Sequence, residues 1–235
     1  MIQIRPSSER GSVNIGWLDS KHSFSFGHYY DVNHMGFRNL RVINEDKVMP
    51  SQGFGTHGHR DMEIISYVIS GELAHKDSMG NGSTLRKGDI QRMSAGTGIR
   101  HSEFNASSSE KVHFLQIWIE PDQSGHTPGY EERNFEGQKQ NTLRLLVSGD
   151  SAEHALNINA DIHLYGSELK KNNDITYKVQ EHRHIWIQIV KGELVITSQE
   201  EKAHAQGGDG IRISNTSSIH LKAQKDCEFL LFNLP

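Results

Sequence analysis

The chain has 235 residues and a single cysteine, Cys227, so no intramolecular disulfide can form. A reducing, cytoplasmic setting is expected. Cys227 lies between Asp226 and the apolar run Phe229–Phe232, which makes it a strand residue. No apolar run approaches the ~20 residues of a membrane span. The start, Met1-Ile2-Gln3-Ile4-Arg5, has no apolar stretch of the kind that drives secretion. Membrane association is not expected. No Lys/Arg cluster interrupts a chain of net charge −4. Direct nucleic-acid binding, which needs a basic footprint to neutralise phosphates, is argued against. No window gives a long amphipathic helix; short helical turns are expected only near Glu131 or Ser151–Ala155.

What remains is a β-rich pattern. Hydrophobic residues make up 34% and glycine is frequent at 22, which favours short strands joined by tight turns. Strands are expected at Gly36–Asn44, Met62–Ile69 and Val112–Glu120, with Val112, Phe114, Ile117 and Ile119 facing inward. Asp77-Ser78-Met79-Gly80-Asn81-Gly82 is a hairpin tip. Further strands are expected at Thr142–Val147, Ile158–Tyr165, Ile175–Val179, Ile185–Val190, Leu194–Thr197 and Phe229–Leu234. The two halves echo each other. Ser70-Gly71-Glu72-Leu73 resembles Lys191-Gly192-Glu193-Leu194 at an offset of 121 (Gly71 to Gly192), and Gly88-Asp89 resembles Gly208-Asp209 at an offset of 120 (Gly88 to Gly208). Two motifs at nearly one offset indicate a duplicated β-domain. The expected division is a first domain at 1–122, a connector at 123–141 and a second domain at 142–235.

The one abnormal count is 15 histidines. In Gly55-Thr56-His57-Gly58-His59, the two histidines are spaced i, i+2, which on a strand puts both imidazoles on one face. His101-Ser102-Glu103 has the same spacing after the glycine-rich stretch Ala95-Gly96-Thr97-Gly98. Two such pairs on neighbouring strands would converge three nitrogens and one carboxylate on one point. That donor set suits Fe(II), Mn, Co, Ni, Cu(II) or Zn. With no thiolate, it does not fit a closed structural zinc site. Glu63 shares parity with the histidine pair and is a supporting or alternative ligand; Asp61 shares it too and is read as a structural polar residue.

These stretches resemble the cupin superfamily. His57, His59 and Glu63 fit its first motif, with Gly71 one residue late, and Gly88, Gly96, His101 and Asn105 fit its second. Ser94 stands where proline is usual, and two extra residues separate Gly96 from His101; both departures are pirin-like. Gly53–Glu63, Met93–Glu103, Gly16–Ser20, Phe24–Phe26 and Met35–Phe37 are similar to bacterial pirins over nearly the whole chain. The resemblance implies an all-β fold of two tandem cupin (jelly-roll β-barrel) domains, a bicupin. It implies one divalent metal per chain, Fe(II) first among the candidates, held by His57, His59, His101 and Glu103. In the second half, the offsets place Lys178, Gln180, Leu221 and Ala223 at the ligand positions, so no second metal is expected. His182-Arg183-His184 falls too late, and His220 is expected to have no partner carboxylate.

The implied activity is that of a quercetin 2,3-dioxygenase, cleaving flavonols such as quercetin with O₂ and releasing carbon monoxide. Glu103 would be both ligand and general base for the substrate hydroxyl, with Phe54, Met93 and Ile99 lining the pocket. Two alternatives stand beside it. One is a pirin-like, metal-dependent regulatory protein that binds a protein partner without oxygenase chemistry. The other is a cupin enzyme using a redox-inert metal. A monomer is expected.

Overall fold

The computed structural model describes residues 1–199 and 201–235. Its first eleven strands are β1 Ile2–Arg5, β2 Gly11–Asn14, β3 Leu18–His22, β4 Leu40–Val48, β5 Gly53–His59, β6 Glu63–Ser70, β7 Leu73–Asp77, β8 Gly82–Leu85, β9 Asp89–Ser94, β10 Ile99–Asn105 and β11 Val112–Ile119. The rest are β12 Gly129–Asn134, β13 Arg144–Ser148, β14 Leu156–Asn157, β15 His163–Leu169, β16 Asp174–Lys178, β17 His184–Lys191, β18 Glu193–Ser198, β19 Glu201–Gln206, β20 Gly210–Ile213, β21 Ser218–Ala223 and β22 Cys227–Leu234. Among the described residues the sole helical element is one 3₁₀ turn, Ser7–Glu9. The fold is all-β, as expected.

Local chemistry accounts for the main elements. The β-branched run Ile64, Ile65, Val68 forms the interior of β6, and burial rather than alternation dominates there because the strand is central in its sheet. At the β7–β8 hairpin, Asp77 Oδ1 accepts from the amides of Met79 at 2.9 Å and Asn81 at 3.0 Å. This is how an aspartate closes a turn on its own backbone. In β11 the expected inward set is buried, but so are Leu115 and Gln116, because β11 lies between β4 and β6.

The chain packs as two compact units, Gly11–Glu136 with Leu156–Ala160, and Met1–Arg10 with Gly137–Ala155 and Asp161–Pro235. In the first unit, a sheet ordered β12-β9-β6-β11-β4-β3-β2 packs on a sheet ordered β5-β10-β7-β8. Leu18, Val48, Val68 and Phe114 of the larger sheet meet Leu73 and Leu85 of the smaller one in one core. In the second unit the order β1-β20-β17-β22-β15-β13 repeats that plan, with β16-β21-β18-β19 opposite. Its core joins Ile185, Ile187, Phe229 and Leu231 to Leu194, Ile196 and Leu221. Each unit is thus a two-sheet antiparallel sandwich of the jelly-roll kind.

The units do not follow the expected boundaries of 1–122, 123–141 and 142–235. Backbone pairing explains the difference. Ile2–Arg5 adds to the second unit as an edge strand (Ile2↔Ile213), and Gly129–Asn134, inside the expected connector, adds to the first (Gly129↔Ser94). β1 on β20 thereby matches β12 on β9. The segment around Glu131 is strand rather than helical turn for the same reason, and Ser151–Ala155 is irregular. Cys227 opens β22 and is buried; burial, with Glu228 beside it, pushes its thiol up to about 12, so it is a packing residue.

Candidate metal centre

Three histidines from two strands meet in the first unit. β5 and β10 run antiparallel with His101 opposite His57 and Ile99 opposite His59. A bulge between His101 and Glu103 on that side lets Glu103 pair with Phe54. Bulges commonly re-aim side chains next to functional sites. The result is that His59 Nε2 lies 3.0 Å and His57 Nε2 3.1 Å from His101 Nε2. His57 Nδ1 lies 2.8 Å from the carbonyl of Gly55. A carbonyl only accepts, so Nδ1 carries the proton and Nε2 presents a lone pair, the tautomer a metal ligand needs.

The electrostatics favour neutral rings. Burial, then repulsion from His57, lowers His59 to about 4. Burial, then His57 and His59, lowers His101 to about 3. His59 and His101, kept unprotonated at neutral pH, with His57 facing the same point, fit a divalent ion. The ligand atoms of these three residues all lie within 4.8 Å of one another.

Glu103 is 2% exposed and lies one step deeper. Gln116 Nε2 donates to its Oε2 at 2.6 Å and Ser66 Oγ to its Oε1 at 3.1 Å. Burial, aided by the negative charge of Asp46, raises its carboxyl to about 7 against the lowering effect of those two donors. Glu103 groups within 4.8 Å with His101 and His75, a set that excludes His57 and His59. The structure therefore places Glu103 beside His101 and His75, with its oxygens on Ser66 and Gln116.

Glu63, the alternative ligand suggested by strand parity, belongs to neither cluster. Its oxygens accept from Ser94 Oγ at 2.9 Å and Asn159 Nδ2 at 3.0 Å. The parity fails because the chain turns between β5 and β6, where Asp61 adopts φ 49° and accepts from the Gly125 amide at 2.7 Å. Ile99 borders the site; Met93 is wholly buried beside it, and Phe54 packs edge-on against Trp17. Trp118 packs edge-on against His59 at 5.0 Å.

Several participants escape sequence reasoning. His75 faces inward on β7, opposite Glu103, with its ring 5.4 Å from His101 and 5.0 Å from Tyr130. Its signal is a histidine at an inward position of the strand after the hairpin's start. Gln116 and Ser66 could be suspected as polar residues inside otherwise apolar strands. The second unit carries no such cluster among the described residues. Register puts Ile219 opposite Tyr177 and Leu221 opposite Ile175. Ile175 and Tyr177 thus occupy the places of His57 and His59, not Lys178 and Gln180, because five residues separate β16 from β17 where three separate β5 from β6. Both pack against the core. His182 is exposed in a turn and His184 meets Ser214. His220, expected without a carboxylate, lies 2.9 Å from Asp174, both exposed.

Comparison with known proteins agrees with this architecture. The pirin family profile matches residues 3–119, and the profile described as the quercetinase C-terminal cupin domain matches residues 145–234. A quercetin 2,3-dioxygenase of Escherichia coli K12 is 46% identical over 235 residues, covering 100% of this chain and 99% of that protein. The crystal structure of the bacterial pirin YhhW from Escherichia coli in complex with nickel(II) superposes with a TM-score of 0.94 at 46% identity, covering 100% of this chain and 99% of that one. A quercetin 2,3-dioxygenase structure from Acinetobacter baumannii, 23% identical, shares the fold with a TM-score of 0.77 over 95% of this chain and 83% of its own. With matched profiles on both halves and an end-to-end relative at this identity, the chain belongs to the pirin family of bicupin proteins.

Proposed function

We propose that His57, His59, His101 and Glu103 hold one divalent transition metal in the first unit, that the second unit holds none, and that the protein is a dioxygenase cleaving flavonols such as quercetin. The observation that carries this reading is the convergence of three Nε2 atoms at 3.0 and 3.1 Å beside a buried carboxyl. The metal, when bound, supplies a Lewis acid for the substrate's oxygen and a site for dioxygen chemistry.

The chain's own residues do the rest. His57 is fixed by the Gly55 carbonyl and offers Nε2. Trp118 braces His59. Glu103 takes the proton of the substrate's 3-hydroxyl and can return it. Ser66 and Gln116 donate to its oxygens and so hold the carboxylate that accepts this proton. Burial of His101 and Glu103 keeps bulk water from that proton.

Oxygen uptake with quercetin tests the reading, using protein loaded with Fe(II), Mn(II), Co(II), Ni(II), Cu(II) or Zn(II), beside metal-free protein and His101→Ala. The expected result is uptake that needs a redox-capable ion and vanishes in His101→Ala. No uptake with any ion, at confirmed occupancy, would overturn the dioxygenase assignment.

A further inference from the structure

His101 turns Nε2 toward His57 and His59, at 3.1 and 3.0 Å. A ring that ligates through Nε2 carries its proton on Nδ1. That N–H is normally held by a fixed acceptor, which orients the ring and makes the other nitrogen a stronger ligand. His57 has such an acceptor in the Gly55 carbonyl at 2.8 Å. The Nδ1 of His101 is buried and meets no partner among the described residues.

A suitable acceptor stands one strand away. β7 pairs with β10 so that His75 lies opposite Glu103 and Asp77 opposite His101. With a period of two along each strand, all four share one face. The rings of His75 and His101 are 5.4 Å apart, and a nitrogen of each lies within 4.8 Å of the other and of a Glu103 oxygen. On its other side, His75 Nε2 is 3.5 Å from Asp77 Oδ2, and both side chains are fully buried. Asp77 serves as an acceptor throughout: Oδ1 takes the amides of Met79 and Asn81, and Oδ2 takes Asn81 Nδ2 at 2.8 Å. Toward His75 it also accepts, so Nε2 carries the His75 proton and Nδ1 keeps its lone pair. That Nδ1 is buried and likewise meets no partner among the described residues. Tyr130 stacks on the ring at 5.0 Å and 28°, and its hydroxyl is tied to Ser83 Oγ at 2.6 Å, which braces His75 in place.

A buried donor on one ring thus stands beside a buried acceptor on the next, and leaving either unmet costs about 1–3 kcal/mol. We propose that His75 is a positioning residue for the metal centre: with the ion bound, its Nδ1 accepts from His101 Nδ1–H. Asp77, His75 and His101 then form a relay that aims His101 Nε2 and strengthens it as a ligand. This rests on the metal centre proposed above and adds the support that one of its histidines needs.

Two measurements test it, neither of which needs turnover. The first is nickel(II) affinity by competition with a chelator, on variants shown to be folded without metal. His75→Leu should weaken binding about 10- to 100-fold. His75→Gln, which can accept from His101 and donate to Asp77, should recover most of that loss. Native affinity in His75→Leu overturns the proposal; a loss that glutamine leaves unrelieved marks a packing role and overturns it as well. The second is ¹⁵N NMR of the histidine rings in native zinc(II)-loaded protein, which needs no variant to fold. It should show the proton of His75 on Nε2 and that of His101 on Nδ1. A His75 protonated on Nδ1 cannot accept there and would end the idea. Nickel affinity that falls in His57→Ala but not in His75→Leu rejects the relay alone. Affinity indifferent to His57→Ala rejects the metal centre on which it rests.

Discussion

Asp46 and Glu103 are two acids sealed in the same sandwich, and their burial has consequences that can be measured separately. Asp46 bonds Ser20, which in turn meets His22 Nε2 at 2.8 Å. Burial raises Asp46 from 3.8 to about 7 despite the Ser20 bond. A carboxyl whose folded value is raised binds its proton more tightly when folded. Its stability contribution is complete below pH 3.8 and is lost as pH rises to about 7. Three units correspond to a loss on the order of 4 kcal/mol. Asp46→Asn should therefore unfold at higher urea than the native protein at pH 8 and lose that advantage near pH 4. An advantage equal at both pH values would show that Asp46 is already ionised in the fold. For Glu103 the test is chemical. Glu103→Gln should keep one nickel per chain through its three imidazoles, by elemental analysis, while turnover falls about 10²- to 10⁴-fold. Near-native turnover would remove Glu103 from proton transfer.

At the scale of elements, the repeated Gly-Glu-Leu has a concrete cause. Gly71 and Gly192 both adopt positive φ, 81° and 85°, at the turn between two strands. A Cβ at Gly71 would lie 2.5 Å from the Lys111 carbonyl oxygen, and one at Gly192 2.1 Å from that of Asp226. Gly71→Ala and Gly192→Ala should each cost more than about 2 kcal/mol in chemical denaturation, since left-handed backbone alone costs an alanine ~1–2 kcal/mol. A cost below 0.5 kcal/mol, on the order of a neutral surface change, would mean the turn rearranges freely. This echo is why duplication was legible in the sequence, as were the histidine pair and the strands β6, β11, β17 and β22. The edge strands were not. β1 and β12 are short and half-exposed, and only pairing with β20 and β9 defines them. Strand parity does not carry Glu63 to the imidazoles, because period-two alternation stops at the turn before it. His75, Ser66 and Gln116 stayed hidden because their roles come from strands far apart in the chain.

At the scale of the molecule, one sandwich keeps polar side chains at the positions that the other fills with Ile175, Tyr177, Leu221 and Ala223. An ion that binds the folded first unit and not the unfolded chain must stabilise it. At one hundred times its dissociation constant the gain is about 2.7 kcal/mol. Nickel(II) should accordingly raise the melting temperature by several degrees. A chelator should reverse the rise, and His57→Ala should abolish it. A nickel-induced rise that survives in His57→Ala would place the ion elsewhere.

The most direct measurement is anomalous diffraction at the nickel edge from crystals grown with one equivalent of nickel(II). One peak per chain is expected, contacted by His57, His59 and His101 through Nε2 and by Glu103 turned from Gln116, with no peak in the second unit. A peak held by His75, His101 and Glu103 without His57 and His59, or one beside Ile175 and Tyr177, would contradict it.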